Sequence, residues 1–138
     1  MTDATDPLIE RLRTALAARP DVVCAWLFGS RARGDARPDS DVDVALLLDR
    51  DPGGTLPASG IAVAGELERV LASPVDVVVV DLAPPDLVHR VMRDGILRLD
   101  RDPGRRIAFE VAARNRWFDL QPIIAAYRRA PDTRHGRR

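Results

Sequence analysis

LFGSRARGDARPDSDVDVALLLD, residues 27–49, is the stretch on which the fold turns. It closes one apolar run at 22–28 (VVCAWLF) and opens a second at 41–48 (DVDVALLL). Both runs are short, β-rich and bounded by turn-forming or charged residues, which reads as two buried strands. The segment between them holds Gly29, Gly34, Pro38 and three arginines, so it is a turn with room for one helical turn. A parallel crossover needs a dozen or more residues, commonly a helix. This connection barely reaches that length and is partly irregular. A mixed sheet is expected rather than a doubly wound one.

Outward from this pair, helices and strands alternate. Asp6-Pro7 is an N-cap followed by proline at the first helical position, and Leu8, Leu12, Ala15 and Leu16 recur at helical spacing until Arg19-Pro20-Asp21. Residues 49–57 (DRDPGGTLP) read as a loop. Ile61, Ala64, Leu67, Val70 and Leu71 predict an amphipathic helix over 59–72. A β-branched strand follows at 75–80. Pro84-Pro85 opens a helix carrying Leu87, Val88, Val91 and Met92, which Asp94-Gly95 closes, and 96–99 reads as a short edge strand. A long C-terminal helix spans 105–127, where Pro122 must bend or break it. The expected class is α/β (α+β), a mixed β-sheet with flanking helices.

Formal net charge is zero, from 21 basic and 21 acidic residues. Proteins held to nucleic acid by phosphate contacts carry a basic excess, so general nucleic-acid binding is disfavoured. All 21 bases are arginine. The absence of lysine excludes a Walker A loop and any lysine–nucleotide adduct. No apolar run approaches the ~20 residues of a membrane span. The opening MTDATDPLIERLR has early acids and no apolar signal core. Cys24, the only cysteine, lies within VVCAWLF and is expected as a buried structural thiol. These features predict a cytoplasmic protein with one domain, 1–127, and a basic, disordered tail at 128–138 that holds five arginines.

The chemistry-bearing residues lie in the stretch quoted first. Asp41 and Asp43 stand two apart at the start of a strand, so both side chains leave one sheet face while Val42 and Val44 take the other. Adjacent carboxylates repel each other, and a cation between them removes that cost. Oxygen donors with no His or Cys nearby favour a hard ion, Mg²⁺ first, then Mn²⁺ or Ca²⁺. Gly29-Ser30 directly follows the first strand, where backbone N–H groups are left over at a turn. Glycine lets a phosphate approach the backbone, and Ser30, Arg31 and Arg33 add donors. Each element alone has an ordinary reading as solvated charge at a turn. If the two strands are antiparallel neighbours, a phosphate seat faces a metal pair, as transfer chemistry on a triphosphate requires.

Gly29-Ser30, ten residues, then Asp41-Val42-Asp43 resembles the GSx₁₀DxD signature of the DNA polymerase β-like nucleotidyltransferase superfamily. GSRARG and SDVDV are similar to its small prokaryotic branch, the minimal nucleotidyltransferases. The resemblance continues through VDVVVVDL at 75–82, DGILRLDRD at 94–102 and FEVAARNRWFDLQPIIAAY at 109–127. The last of these is similar to the C-terminal helix of antitoxins in type VII toxin–antitoxin systems, minimal transferases paired with a HEPN-domain ribonuclease toxin.

The resemblance implies a polymerase β-like fold and a third carboxylate on a neighbouring strand, which Asp76 matches; Asp81 fits a capping or turn role instead. It implies ATP as substrate and one or two Mg²⁺ ions, with Mn²⁺ as a substitute, on Asp41, Asp43 and Asp76. Asp76 would orient or deprotonate the acceptor hydroxyl; Gly29, Ser30, Arg33 and Ser40 would bind the nucleotide, with pyrophosphate held by Ser30, Ser40 and Arg33. The implied partner is the HEPN toxin of the adjacent gene, adenylylated on a hydroxyl, a tyrosine in similar antitoxins.

Other residues have plainer readings. His89 has no second ligand at metal spacing and is expected in a structural role, and Trp26 belongs in the core. Trp117, Phe118 and Tyr127, with Val111, Leu120, Ile123 and Ile124, supply more apolar surface than one helix face needs. The simplest reading packs them on the sheet; the other makes part of them an interface for a partner or a second copy. Two competing functions remain. One keeps the chemistry but changes the acceptor to an aminoglycoside-like small molecule or RNA. The other is a non-catalytic antitoxin acting by binding, for which three like charges in one cleft serve no purpose.

Overall fold

Asp6 opens the fold as the N-cap of helix α1 (Pro7–Ala17), accepting the N–H of Leu8 on Oδ1 at 3.0 Å. Ile9, Leu12, Ala15 and Leu16 form the buried stripe of that helix. Strand β1 (Val22–Phe28) follows, six of its seven residues buried. The single helical turn α2 (Ser30–Arg33) ends at Gly34, whose φ of 84° suits glycine and whose N–H bonds back to the Ser30 carbonyl. Strand β2 (Val42–Leu48), helix α3 (Leu56–Leu71), strand β3 (Val75–Val79), helix α4 (Pro85–Asp94), strand β4 (Ile96–Asp100) and helix α5 (Pro103–Arg129) complete the order. This computed structural model describes residues 6–37, 39–49 and 56–129. Most of the loop expected at 49–57, and the tail from 130 onward, lie outside the described residues.

The four strands form one sheet in the order β3-β2-β1-β4. β1 pairs antiparallel with both β2 and β4, while β2 and β3 are parallel, joined by the crossover helix α3. The expected mixed sheet is therefore observed, with β4 on its edge. One face packs on α1 and α3 through Leu12, Leu16, Leu27, Leu46, Leu48 and Leu67, each out of contact with water. Each such side chain contributes roughly 1.5–3 kcal/mol by leaving water. The other face holds a smaller core, in which Trp26, Ala45, Leu47 and Val80 meet Val91 of α4, with Phe28, Met92 and Phe109 at its margin.

Cys24 lies in the smaller core, as expected of a structural thiol. Burial, assisted by the neighbouring Asp100 carboxylate, pushes its pKa up to about 12. The thiolate is the reactive form. At pH 8 a thiol reagent is therefore expected to label folded protein at least ~100-fold more slowly than protein in denaturant; equal rates would place Cys24 at the surface.

Helix α5 departs from expectation in two ways. It runs unbroken through Pro122 to Arg129, two residues past the predicted end of the domain. The proline forfeits one backbone bond, to the carbonyl of Phe118. Both residues are solvent-exposed, so water can take that carbonyl. The aromatic stripe is also not packed on the sheet. Phe109, near the start of α5, reaches the smaller core, with its ring 6.5 Å from that of Trp26. Among the described residues, none of α5 is buried.

Candidate active site

The site forms where β1 ends and β2 begins. Antiparallel pairing sets Phe28 opposite Asp43, so the turn after β1 folds over that carboxylate. Gly29 makes the turn with φ 76° and ψ −157°, a region open essentially to glycine alone. A Cβ here would lie 2.2 Å from Asp43 Oδ2. Backbone and carboxylate thus approach as closely as a missing side chain permits, and Ser30 starts α2 immediately beyond.

The parallel ladder then brings in the third acid. Asp43 is the register partner of Asp76, one strand away; neighbouring strands lie about 4.8 Å apart. Asp43 is in phase with Ala45 and Leu47, and Asp76 with Val80, all members of the smaller core. Both carboxylates therefore leave the α4–α5 side of the sheet, away from the large core. Asp41 is exposed one residue ahead of β2, in phase with Asp43. The Val42 N–H bonds to the Pro74 carbonyl at 3.0 Å and holds this entry against β3.

Burial and charge repulsion together mark the cluster electrostatically. Partial burial raises the Asp43 pKa above the ordinary carboxylate value, and the charges of Asp76 and Asp41 raise it further against a smaller opposing pull from Arg33. Among the described residues, no three Asp, Glu, His or Cys groups form a ready-made metal cage. Mg²⁺ in phosphoryl-transfer sites needs only one or two carboxylates, the rest of its shell coming from water and substrate phosphates. Adjacent oxygen donors that repel one another fit such an ion.

The sign of the pH effect follows. Folded Asp43 holds its proton more tightly than the unfolded chain does. Its contribution to stability is present below the unfolded pKa and is lost as pH rises through the higher folded value. Without divalent cations, Asp43→Asn is therefore expected to raise Tm at pH 8 by roughly 2 °C, since exposure screens the repulsion. The gain should fade toward pH 4. A Tm unchanged at both pH values would show that the acids do not repel.

The remaining predicted contacts divide. Arg33 is exposed, within 3.4 Å of Asp35, and its charge reaches Asp43, so it can turn toward a phosphate. Ser40 Oγ accepts the Arg37 N–H at 2.8 Å, which leaves its own O–H as a donor. Arg31 serves the scaffold instead, since its Nη2 donates to the Ser40 carbonyl at 2.9 Å and ties α2 to the loop entering Asp41. Asp81 takes the turn role of its two expected ones, in the turn after β3, and caps no helix; its side chain, 7% exposed, lies 3.8 Å from Arg105 of α5. The Arg31 tie and the stack of His89 on Trp117 were not legible in the sequence, because each joins elements whose relative placement spacing does not encode.

A Gly-Ser turn over register-paired aspartates coincides with a family assignment. The sequence profile described as "Polymerase beta, Nucleotidyltransferase" matches residues 10–104. The chain belongs to the polymerase β nucleotidyltransferases. A comparison with curated proteins gives no match.

Among solved structures, this nucleotidyltransferase is similar to a chain of a toxin–antitoxin complex with AMP-PNP. The TM-score is 0.72 at 25% identity, over 86% of this chain and 94% of that one. A structure described as a minimal nucleotidyltransferase is 35% identical, with TM-score 0.52, over 63% and 87% of the two chains. A complex of tri-AMPylated Shewanella oneidensis HEPN toxin with MNT antitoxin shares the fold, with TM-score 0.67 at 23% identity over 87% and 92%. The family match ends where α5 begins. The 86% coverage extends into α5, whose 27 residues make up about a fifth of the chain.

Proposed function

We propose that this nucleotidyltransferase uses ATP and a divalent cation, Mg²⁺ in the cell, to place AMP on a hydroxyl of a HEPN-domain ribonuclease toxin, and thereby neutralises it. The observation that carries the chemistry is the pairing of Asp43 with Asp76 under the Gly29 turn. The partner reading draws its support from the similar chain solved within a toxin–antitoxin complex with AMP-PNP.

In this reading the Gly29-Ser30 turn receives the triphosphate, with the Ser30 and Ser40 hydroxyls and Arg33 as donors to its oxygens. Asp41 and Asp43 would hold the cation, with Asp76 as a further oxygen donor from the neighbouring strand. When bound, the cation offsets charge on the phosphates and polarises the oxygens around phosphorus. Asp76 orients the acceptor hydroxyl and takes its proton as the acceptor oxygen bonds to the α-phosphorus. The bond from the α-phosphorus to its bridging oxygen breaks, and pyrophosphate carries off that electron pair. A domain this small leaves little room for a dedicated acceptor pocket, which suits a macromolecular acceptor that brings its own surface.

The test is incubation with Mg²⁺, α-labelled ATP and the product of the adjacent gene. Label on that protein, lost with EDTA, is the expected result. Label on RNA or on a small molecule instead, or tight binding with no label, would overturn the reading.

A further inference from the structure

Helix α5 is 27 residues long, roughly 40 Å, whereas α4, the main element packed along it among the described residues, has 10, roughly 15 Å. Its distal half carries Trp117, Leu120, Ile124 and Tyr127 at steps of three and four, the spacing of a helix–helix seam. Phe118, Ile123 and Tyr127 are 60%, 63% and 76% exposed. Alongside lies a groove of about 570 Å³ between α4 and α5, walled in part by Met92, Ile107 and Phe118. Its floor includes His89 stacked on Trp117, with ring centroids 4.1 Å apart and planes 9° from parallel. Exposed apolar and aromatic surface of this kind marks an interface.

Charge narrows the occupant. The chain is neutral overall, yet α5 carries six arginines against Glu110 and Asp119. Arg106 is engaged by Asp100 and Glu110, and Arg105 lies beside Asp81. Arg114, Arg116, Arg128 and Arg129 are all exposed, on the same stretch of α5 as the apolar stripe and with Asp119 as the one acid among them, and Arg114 also lines the groove. A second copy laid on this stripe would set these arginines against each other, a juxtaposition that costs affinity. A partner with Asp and Glu around an apolar helix face meets no such cost. The groove also lies on the α4–α5 side of the sheet, the side from which Asp43 and Asp76 project.

We infer that the α4–α5 groove and the distal half of α5 dock the protein that bears the acceptor hydroxyl, through an apolar helical face rimmed by acidic residues. This rests on the protein-acceptor reading above. It adds that substrate choice is made by a surface separate from the carboxylates.

The test pairs Phe118→Asp with Ile123→Asp in the full chain, both exposed positions, with Tm as the check on folding. Affinity for the toxin should fall at least ~30-fold. Transfer should fall at low toxin concentration and recover at saturation, a rise in KM with kcat kept. Mg²⁺–ATP binding, measured by direct titration, should not change. Arg114→Glu with Arg116→Glu should lower affinity and flatten its salt dependence. Unchanged toxin affinity in both pairs would overturn the inference. So would loss of a self-dimer or of RNA binding with toxin affinity intact. If the parent binds the toxin through this surface but transfers no AMP to it, the docking surface stands and the reading of the acceptor falls.

Discussion

Asp43→Asn is expected to abolish nucleotidyl transfer, lowering kcat by at least ~10³-fold, while the chain stays folded. Asparagine keeps the shape of the side chain and removes the charge that a divalent cation needs. Asp43 is the central acid, in register with Asp76 and two residues from Asp41, and both neighbours raise its pKa. Without its charge the other two carboxylates belong to different strands with nothing to bridge them. Asp41→Asn should follow in direction with a smaller loss, because Asp41 lies outside the ladder. The measurement is single-turnover transfer from labelled ATP at saturating Mg²⁺, beside circular dichroism of each variant. Full activity in both variants would rule out a carboxylate-held cation.

Gly29→Ala carries the second large effect, and it strikes stability and chemistry together. The φ of 76° with ψ of −157° costs a non-glycine residue on the order of 1–3 kcal/mol. The new methyl would also sit 2.2 Å from Asp43 Oδ2 and 3.0 Å from its Cγ. Either the turn or the carboxylate must yield. A drop in Tm of roughly 6 °C and a ~100-fold loss of transfer are expected. Thermal unfolding and single-turnover assays read the two effects separately. The double variant Gly29→Ala with Asp43→Gly should regain part of the lost stability, since the clash is relieved while the φ cost persists. A fully stable and active Gly29→Ala protein would contradict the geometry of the turn.

Much of this candidate site is legible in the sequence. The apolar run at 22–28 becomes β1 without a shift in boundary, because proline and glycine bound a buried strand from both sides. Asp6-Pro7 states the start of α1 in the same local terms. Asp41 and Asp43 follow from the two-residue period of a strand, whereas Asp76 comes from the resemblance, which calls for an acid on a neighbouring strand. The partners of Arg31, Asp81 and His89 were not legible, since each contact crosses between elements and depends on how the helices lie on the sheet. Of the two outcomes expected at Pro122, α5 does not break there; the cost of that proline is set by whether the orphaned carbonyl meets water, which a helical wheel does not reveal.

The pairing of Asp43 with Asp76 closes a loop of thirty-three residues through the one parallel link of the described sheet. Contacts so distant along the chain demand loop-closure entropy before they return any enthalpy, and they set slow steps in folding. On the ribosome, a nascent chain that has emerged only as far as β2 holds the DxD and the Gly-Ser turn, with β1 beside β2, but lacks β3 and the Asp76 it carries. Under the proposed function, catalytic competence arrives with long-range topology rather than with local structure, and recovery of activity after dilution from denaturant is expected to time the docking of β3.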